Sequence, residues 1–470
     1  MVVGHAQPYC SFTHYSSDNG LSQNTVMAML QDRKGNMWFS TWDGINKFDG
    51  YTFKTYKARP GNHIELTNNR IDFMKEDEFG YIWLLTYDSK PYRFNPRTES
   101  FEKILSKQNL PDISSVRLLN HGIAWLLTEH QGAIRVKTDS ITLSLEVNDL
   151  RTSSQGWEQA HVYDVWSDFA GREWILTDKG LALYNIQRNQ AEWIHETHFN
   201  EGHPHQQPFF SGKEGEKEIY FGSENGQVWQ LQKNTGKFSL LQLNTSSCII
   251  ALHNISPEEW LLATRNDGFF IYHTGKKSFT HYGKDLLPES PIVSLYADRN
   301  GEIWLEQHVQ GTVAHFNSRT KKIKIETVAV EPSRSDRSHP AFQIHEDCYG
   351  TAWVHPYGGG FSRYNREKNC LEPFYNSIQK GEWRFSNKIH SAFSDRQGNL
   401  WLCTHSKGLE KITFRPMQFQ RLIREEHNYE SLSNEVRALL EDCNRNFWIG
   451  LKDGKLRVYD LSFASQYESL

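Results

Sequence analysis

A chain of 470 residues with 52 Lys and Arg against 56 Asp and Glu, formal net charge −4, has neither the basic footprint of a nucleic-acid binder nor an acidic tail. Aromatic residues make up 13% of it, yet no run of about 18 apolar residues exists to cross a bilayer as a helix. Six cysteines (Cys10, Cys248, Cys348, Cys370, Cys403, Cys443) stand apart without a CxxC pair and read as free thiols, not as a disulfide framework or a zinc site.

Along the chain, residues 1–9 read as the tail end of a signal peptide: a small-residue GHA precedes Gln, and the true start is expected upstream. The alternative is a short leader on a cytoplasmic chain. CSFTHYSSDNGLSQNTV at 10–26 has the form of a strand and loop that elsewhere end one unit and begin the next, so 12–15 is expected to be an orphan fourth strand. A complete unit follows. VMAMLQD (26–32) alternates as a half-buried strand, Arg33-Lys34-Gly35-Asn36 turns, and MWFST is the second strand. Asp43-Gly44 is a tight-hairpin pair because Gly accepts positive φ, INKFDG is the third strand and YTFKTYK the fourth. The phrase returns as DRNGEIWLE (298–306), DCYGTAWVH (347–355), DRQGNLWLC (395–403) and NFWIGLKDG (446–454).

Aligned on the aromatic residue after the polar turn, ten units appear: Trp38, Trp83, Trp125, Trp174, Tyr220, Trp260, Trp304, Trp353, Trp401 and Trp448. Their spacing of 40 to 49 residues is that of four-stranded propeller blades. One meander cannot bury both faces, so the units must stack, and a closed ring removes exposed edges. An all-β fold, a β-propeller of four-stranded antiparallel blades, meets both demands. The anchors are then wedges between blades. Ten units exceed the usual four to eight, so the expected division is a complete seven-bladed propeller over 10–330 and three blades of an incomplete second one over 331–470. VAVEPSRSDRSHPAF (328–342) is the linker candidate. A single ten-bladed ring is the alternative, and an unfinished ring implies a homodimer through its bare face.

The stretch GLSQNTVMAMLQDRKGNMWFSTWDGINKFDGYTFKTYK closely resembles the two-component regulator propeller repeat of the periplasmic sensor regions of Bacteroidetes hybrid two-component systems. The resemblance runs through nearly the whole chain and is weakest at KEIYFGSENGQVWQL. It implies a periplasmic sensor that recognises oligosaccharides and controls glycan-utilisation genes. In that family two seven-bladed propellers and a β-sandwich precede a membrane helix, kinase core, receiver and DNA-binding domain. This chain has about ten of the fourteen repeats so implied and no phospho-accepting His motif, nucleotide-binding Gly box or receiver, so it reads as a truncated form or fragment of such a sensor or as a short relative of it, and kinase activity is not carried over.

Enzymatic readings, a propeller lyase or glycosidase, and a protein-interaction scaffold are the alternatives. The carboxylates Asp32, Asp77, Asp168, Asp298, Asp347, Asp395 and Asp442 recur at one place in the repeat, which is turn chemistry and not a unique catalytic pair. The histidines of HETHFNEGHPH (His195, His198, His203, His205) lie in a long polar connection and read as solvated loop; no metal or cofactor is expected. Gly358-Gly359-Gly360 falls at a hairpin with no helix after it and is no phosphate loop. Ligand contacts are expected where repeats differ, at the position after the second strand: Trp42, Tyr87, Glu129, Asp178, Glu224, Arg265, Gln307 and His405. Aromatics there would stack on sugar faces, while Arg265 and the carboxylates would hydrogen-bond hydroxyls or uronates.

Overall fold

The computed structural model describes residues 10–58, 66–104, 111–153, 156–194, 207–288, 290–329, 342–357, 359–375, 384–386, 388–414, 431–460 and 465–469. The leader at 1–9, the His cluster, Gly358 and most of the linker candidate lie outside them. Among the described residues there are ten four-stranded antiparallel sheets, a multi-bladed β-propeller architecture in which helix is limited to single turns such as Leu150–Ser153.

The first blade shows how sequence becomes sheet. After β1 (Cys10–Tyr15), which belongs elsewhere, β2 (Val26–Gln31), β3 (Met37–Thr41), β4 (Gly44–Phe48) and β5 (Phe53–Tyr56) pair in chain order. Every residue of β3 is buried, because a strand inside a blade meets a neighbour on each face: Trp38 packs towards the following blade and Phe39 towards the preceding one. At the β3–β4 hairpin Gly44 has φ +96°, and a Cβ there would lie 2.4 Å from the Tyr56 carbonyl oxygen, so no other residue fits.

The recurring Asp does more than make a turn. Asp32 Oδ1 accepts the Asn36 N–H at 2.9 Å while Oδ2 accepts the Trp38 indole N–H at 2.8 Å. The same indole bond joins Trp83 to Asp77 (2.9 Å), Trp174 to Asp168 (3.0 Å), Trp304 to Asp298 (3.4 Å), Trp353 to Asp347 (2.9 Å), Trp401 to Asp395 (2.8 Å) and Trp448 to Asp442 (2.9 Å). A buried indole N–H without an acceptor costs about 1–3 kcal/mol, so one carboxylate both orders the turn and permits the wedge. Trp125 has Leu119 where the Asp would stand. Its N–H goes instead to Glu173 of the next blade at 2.7 Å, and Arg135, equally buried, holds the same carboxylate at 2.7 Å.

One anchor is out of register. In the other tryptophan blades flanked by a strand-ending Thr, the wedge stands three residues before it, as in Trp38/Thr41 and Trp401/Thr404; before Thr264 that place belongs to Leu261. Trp260, one residue earlier, therefore faces the opposite side. It lies 4.4 Å from Tyr220, the anchor in which Tyr replaces Trp, so the two share one blade junction and the smaller wedge is backed by the displaced one.

The grouping of blades differs from the seven-plus-three expectation. The chain divides into Met1–Phe414 and Arg415–Leu470, not at 330. In the first unit, blades 1 to 8 cover 26–56, 71–103, 113–149, 162–193, 209–242, 249–282, 292–327 and 343–373. Blade 9 is made of Ile389–Ser394, Leu400–Thr404 and Leu409–Phe414, and its fourth strand is β1, paired from Cys10↔Phe414 to Tyr15↔Leu409. The seventh blade already has a fourth strand, Lys322–Thr327, which leaves β1 no place there. Aromatic packing explains the choice: Phe12 lies 6.1 Å from Phe374 and 4.9 Å from Tyr375, and Tyr15 stacks 6.0 Å from Trp401. Nine apolar clusters bridge the nine successive junctions, the ninth joining Trp401, Cys403 and Leu409 to Val26, Met37 and Phe39, so the ring is closed.

Junctions also carry a polar hook. The N–H after the turn Asp reaches the side chain that ends the first strand of the next blade: Arg33 to Glu76 (3.1 Å), Phe169 to Glu214 (2.7 Å) and Arg299 to Glu346 (3.1 Å). Arg396 makes the same bond to Gln31 (2.8 Å), so blade 9 meets blade 1 as any blade meets the next. The second unit contains the tenth sheet: Val436–Glu441, Phe447–Leu451, Leu456–Tyr459 and Ser465–Ser469.

Two outcomes follow from this architecture. Removing residues 10–15 strips hydrogen-exchange protection from amides at 409–414 and leaves those at 312–317 protected; the reverse pattern would place closure at the seventh blade. Glu173→Ala strands the Arg135 guanidinium and the Trp125 indole and lowers stability by about 3–5 kcal/mol in urea unfolding.

Candidate functional site

The residue after the second strand is held in place by its own backbone. Its N–H donates to the carbonyl of the residue just before the blade's first strand: Tyr87 to Arg70 (2.9 Å), Asp178 to His161 (3.0 Å), Arg265 to Cys248 (3.0 Å) and His405 to Lys388 (3.0 Å). Each of these four blades thus brings two side chains of different sequence neighbourhoods side by side on one rim. A third comes from a bulge. In eight of the nine ring blades the pairing skips the second residue of the first strand, namely Met27, Asp72, Ser114, Tyr163, Phe210, Ile250, Val293 and His390. Bulges re-aim side chains, and these eight differ in chemistry from blade to blade.

Across blades 9, 1 and 2 these positions converge. The Arg70 guanidinium lies 4.0 Å from the centre of the Tyr87 ring and 5.1 Å from that of Trp42, and its Nε donates to Asp72 at 2.9 Å. Trp42 meets His405 edge-on at 6.3 Å, and His405 Nδ1 is 2.8 Å from His390 Nε2. Trp42 is 42% and Tyr87 60% exposed, large aromatic surfaces left facing solvent while the blade wedges are fully buried. Burial first, then the His405 and Arg70 charges, lower the His390 pKa, with Asp72 opposing.

A second row lies over blades 4 to 6. His161 packs on Tyr163 at 4.5 Å, Tyr163 on Phe210 at 5.0 Å, and Arg265 lies over Phe210 at 5.6 Å. Burial, then the Asp178 and Glu224 charges, raise the Tyr163 pKa.

Of the residues singled out from sequence, the structure brings Trp42, Tyr87 and His405 into one group and ties Arg265 to the other. Asp178 is engaged locally, its Oδ1 accepting the His161 N–H at 2.8 Å, and the Glu129 carbonyl meets His161 Nδ1. Gln307 is not on the rim surface: it is 2% exposed, and its amide donates to the carbonyls of Pro288 (3.1 Å) and Ser290 (2.7 Å), closing a loop. Arg70, Asp72, His390, Tyr163 and Phe210 were missed. The signal for Asp72, His390, Tyr163 and Phe210 is the residue after the buried Val, Ile or Phe that opens each first strand, which varies while its neighbour stays apolar; Arg70 stands just before that opening residue. Among the described residues no group of three or more His, Cys, Asp or Glu is placed to hold a metal ion.

Blades, ring closure and a variable rim define the class, a β-propeller whose repeated residues build the scaffold and whose unrepeated ones face solvent. Residues 20–43, from the loop before β2 through β3 to Trp42 and Asp43, match the family model described as two component regulator propeller, so the chain carries that repeat. Over 56 residues, 12% of this chain, it is 41% identical to histidine kinase P4 of Formosa agariphila, and that match takes in only 4% of the kinase. Similar solved structures include extracellular domains of two B. thetaiotaomicron proteins described as hybrid two component systems. They are 17% and 19% identical, with TM-scores of 0.35 and 0.29; each alignment covers 97% of this chain, and 66% and 79% of theirs. No helix among the described residues is long and apolar enough to cross a membrane.

The His390 environment sets a pH dependence. A base whose folded pKa lies below its ordinary value near 6.5 resists the proton that the unfolded chain accepts, so stability falls as pH drops below that value. His390→Gln therefore flattens the decline of Tm between pH 7 and pH 5 relative to the parent, by thermal unfolding in matched buffers.

Proposed function

We propose that this chain is the extracytoplasmic ligand-sensing propeller region of a hybrid two-component signalling system, and that its ligand is an oligosaccharide whose binding controls glycan-utilisation genes. The observation that carries the reading is the solvent-facing row Tyr87, Arg70, Trp42 and His405 over three adjacent blades. Aromatic faces accept the C–H faces of sugar rings, and a guanidinium held between two rings offers fixed N–H donors to hydroxyl or carboxylate oxygens. The repeat at 20–43 and the short identity to a histidine kinase support a sensor. Within a complete signalling protein, ligand would act through its different affinity for two states of the receptor, since a ligand indifferent to both shifts nothing.

No bond-breaking is assigned to the rim. The recurring carboxylates Asp32, Asp77, Asp168, Asp298, Asp347, Asp395 and Asp442 are taken up by turn N–H or indole groups, so they are not poised across a sugar. A calorimetric screen of oligosaccharides tests the reading. Saturable binding without turnover is expected, weakened roughly tenfold by Trp42→Ala and more strongly by Arg70→Ala. Cleaved product would make the chain an enzyme; no response to any glycan would leave a protein-interaction scaffold.

A further inference from the structure

Five arginines of the ring that lie over an aromatic side chain also hold a carboxylate. Arg70 over Tyr87 binds Asp72, Arg93 over Tyr81 binds Glu102, Arg135 over Tyr184 binds Glu173, Arg172 over Trp174 binds Asp168, and Arg366 over Tyr364 binds Asp298. Arg265 breaks the pattern. It lies over Phe210 at 5.6 Å, yet among the described residues its guanidinium makes no hydrogen bond or ion pair, and neither Asp178 nor Glu224 of the neighbouring rim positions reaches it. A guanidinium backed by a ring keeps its planar fork in one orientation, and that fork matches the two oxygens of a carboxylate. Here the carboxylate is the missing member.

The backbone holds Arg265 between two blades: its N–H donates to the Cys248 carbonyl at 3.0 Å, and its carbonyl accepts the Ile292 N–H at 2.9 Å. Ile292 opens blade 7, and with Leu287, Pro288 and Pro291 it walls a cleft of about 290 Å³ between blades 6 and 7, to which Asn266, the exposed residue after Arg265, also contributes. Gln307 fixes the wall, since its amide donates to the carbonyls of Pro288 at 3.1 Å and Ser290 at 2.7 Å. The volume falls just short of the ~300–1,000 Å³ of drug-sized sites, so the cleft takes the apolar part of a small molecule and not a length of polymer. Aliphatic walls give a hydroxyl-rich ring few hydrogen-bond partners, whereas a hydrocarbon group has none to lose.

We infer that Arg265 and the adjoining cleft form a binding site for a small carboxylate that bears an apolar group, with the carboxylate on the guanidinium and the apolar group against Leu287, Pro291 and Ile292. The ligand's acid completes at Arg265 the ring–guanidinium–carboxylate arrangement that the protein completes for itself at Arg70, Arg93, Arg135, Arg172 and Arg366. The site is separate from the row of Tyr87, Arg70, Trp42 and His405, and it stands whether or not that row binds a glycan.

Calorimetry of the full chain with hexanoate and 3-phenylpropionate tests this, beside acetate, which has the charge without the apolar group, and 3-phenylpropanol, which has the apolar group without the charge. At least one of the two larger acids is expected to bind saturably with a Kd of about 1 mM or below, and acetate and the alcohol roughly tenfold more weakly. Arg265→Gln is expected to remove that tenfold advantage over the alcohol, Arg265→Lys to remove part of it, and Asn266→Trp, which fills the cleft from its exposed edge, to weaken acid and alcohol alike. The bound acid is expected to raise hydrogen-exchange protection at 265–268 and 290–292. Binding of neither acid overturns the proposal. So does an acid that binds no more tightly than the alcohol, an affinity unchanged in Arg265→Gln, or protection confined to other blades. Matched thermal unfolding verifies that each variant is folded; if Asn266→Trp is not, the two Arg265 variants and the exchange pattern decide alone.

Discussion

The structure depends on one bond repeated around it, from a turn carboxylate to a buried indole N–H. A tryptophan is the largest wedge available between sheets, but its nitrogen cannot be left dry without cost. Placing the acceptor six residues earlier, in the turn that already needs an Asp, makes each blade self-sufficient before it meets a neighbour. Where the Asp is missing, one blade borrows from another: Glu173 supplies Trp125 and binds Arg135, so blades 3 and 4 are locked by a buried ion pair.

Because scaffold residues are committed to that bond and to packing, chemistry is confined to positions the repeat does not need. The rim has three such positions per blade: before the first strand, at its bulge, and after the second strand. In blades 2, 4, 6 and 9 one backbone bond joins the first and last of these, so different side chains are presented there on the same geometry. A row such as Tyr87, Arg70, Trp42 and His405 is then an outcome of which letters occupy equivalent places, without any change in the strands beneath.

Much of this was legible in the sequence. The period, the four strands of a blade, the hairpin at Asp43-Gly44 and the aromatic wedges all follow from local pattern, and so does the variability after the second strand. Register was harder to read where a strand is apolar on both faces: in EEWLLAT the aromatic residue points to Trp260 as the wedge, whereas Thr264, three residues after Leu261, marks Leu261, and Trp260 packs on Tyr220 instead. The number of blades in the ring was hidden for a related reason. In the other eight ring blades the third strand is covered by a fourth from the same segment, so β1 is directed to the open edge at Leu409–Phe414, where Phe12 and Tyr15 also find aromatic partners. Arg70 escaped notice because its two aromatic partners come from different blades, and Gln307 was misplaced because it ends its strand, paired with Ile292 as Thr41 is with Val26, so that the position after the strand belongs to His308.

The pairing of β1 with blade 9 has a consequence for the order in which the molecule can form. Eight blades are built from contiguous segments and can pair their strands as the chain leaves the ribosome. The ninth cannot, since the contact between His14 and Glu410 spans 396 residues. β1 must therefore stay unpaired through most of synthesis, a short edge-forming segment with Phe12 and Tyr15 uncovered, until its partner emerges. Once in place it ties the first strand of the ring to the last, so the two ends of a segment of some four hundred residues are held in one sheet.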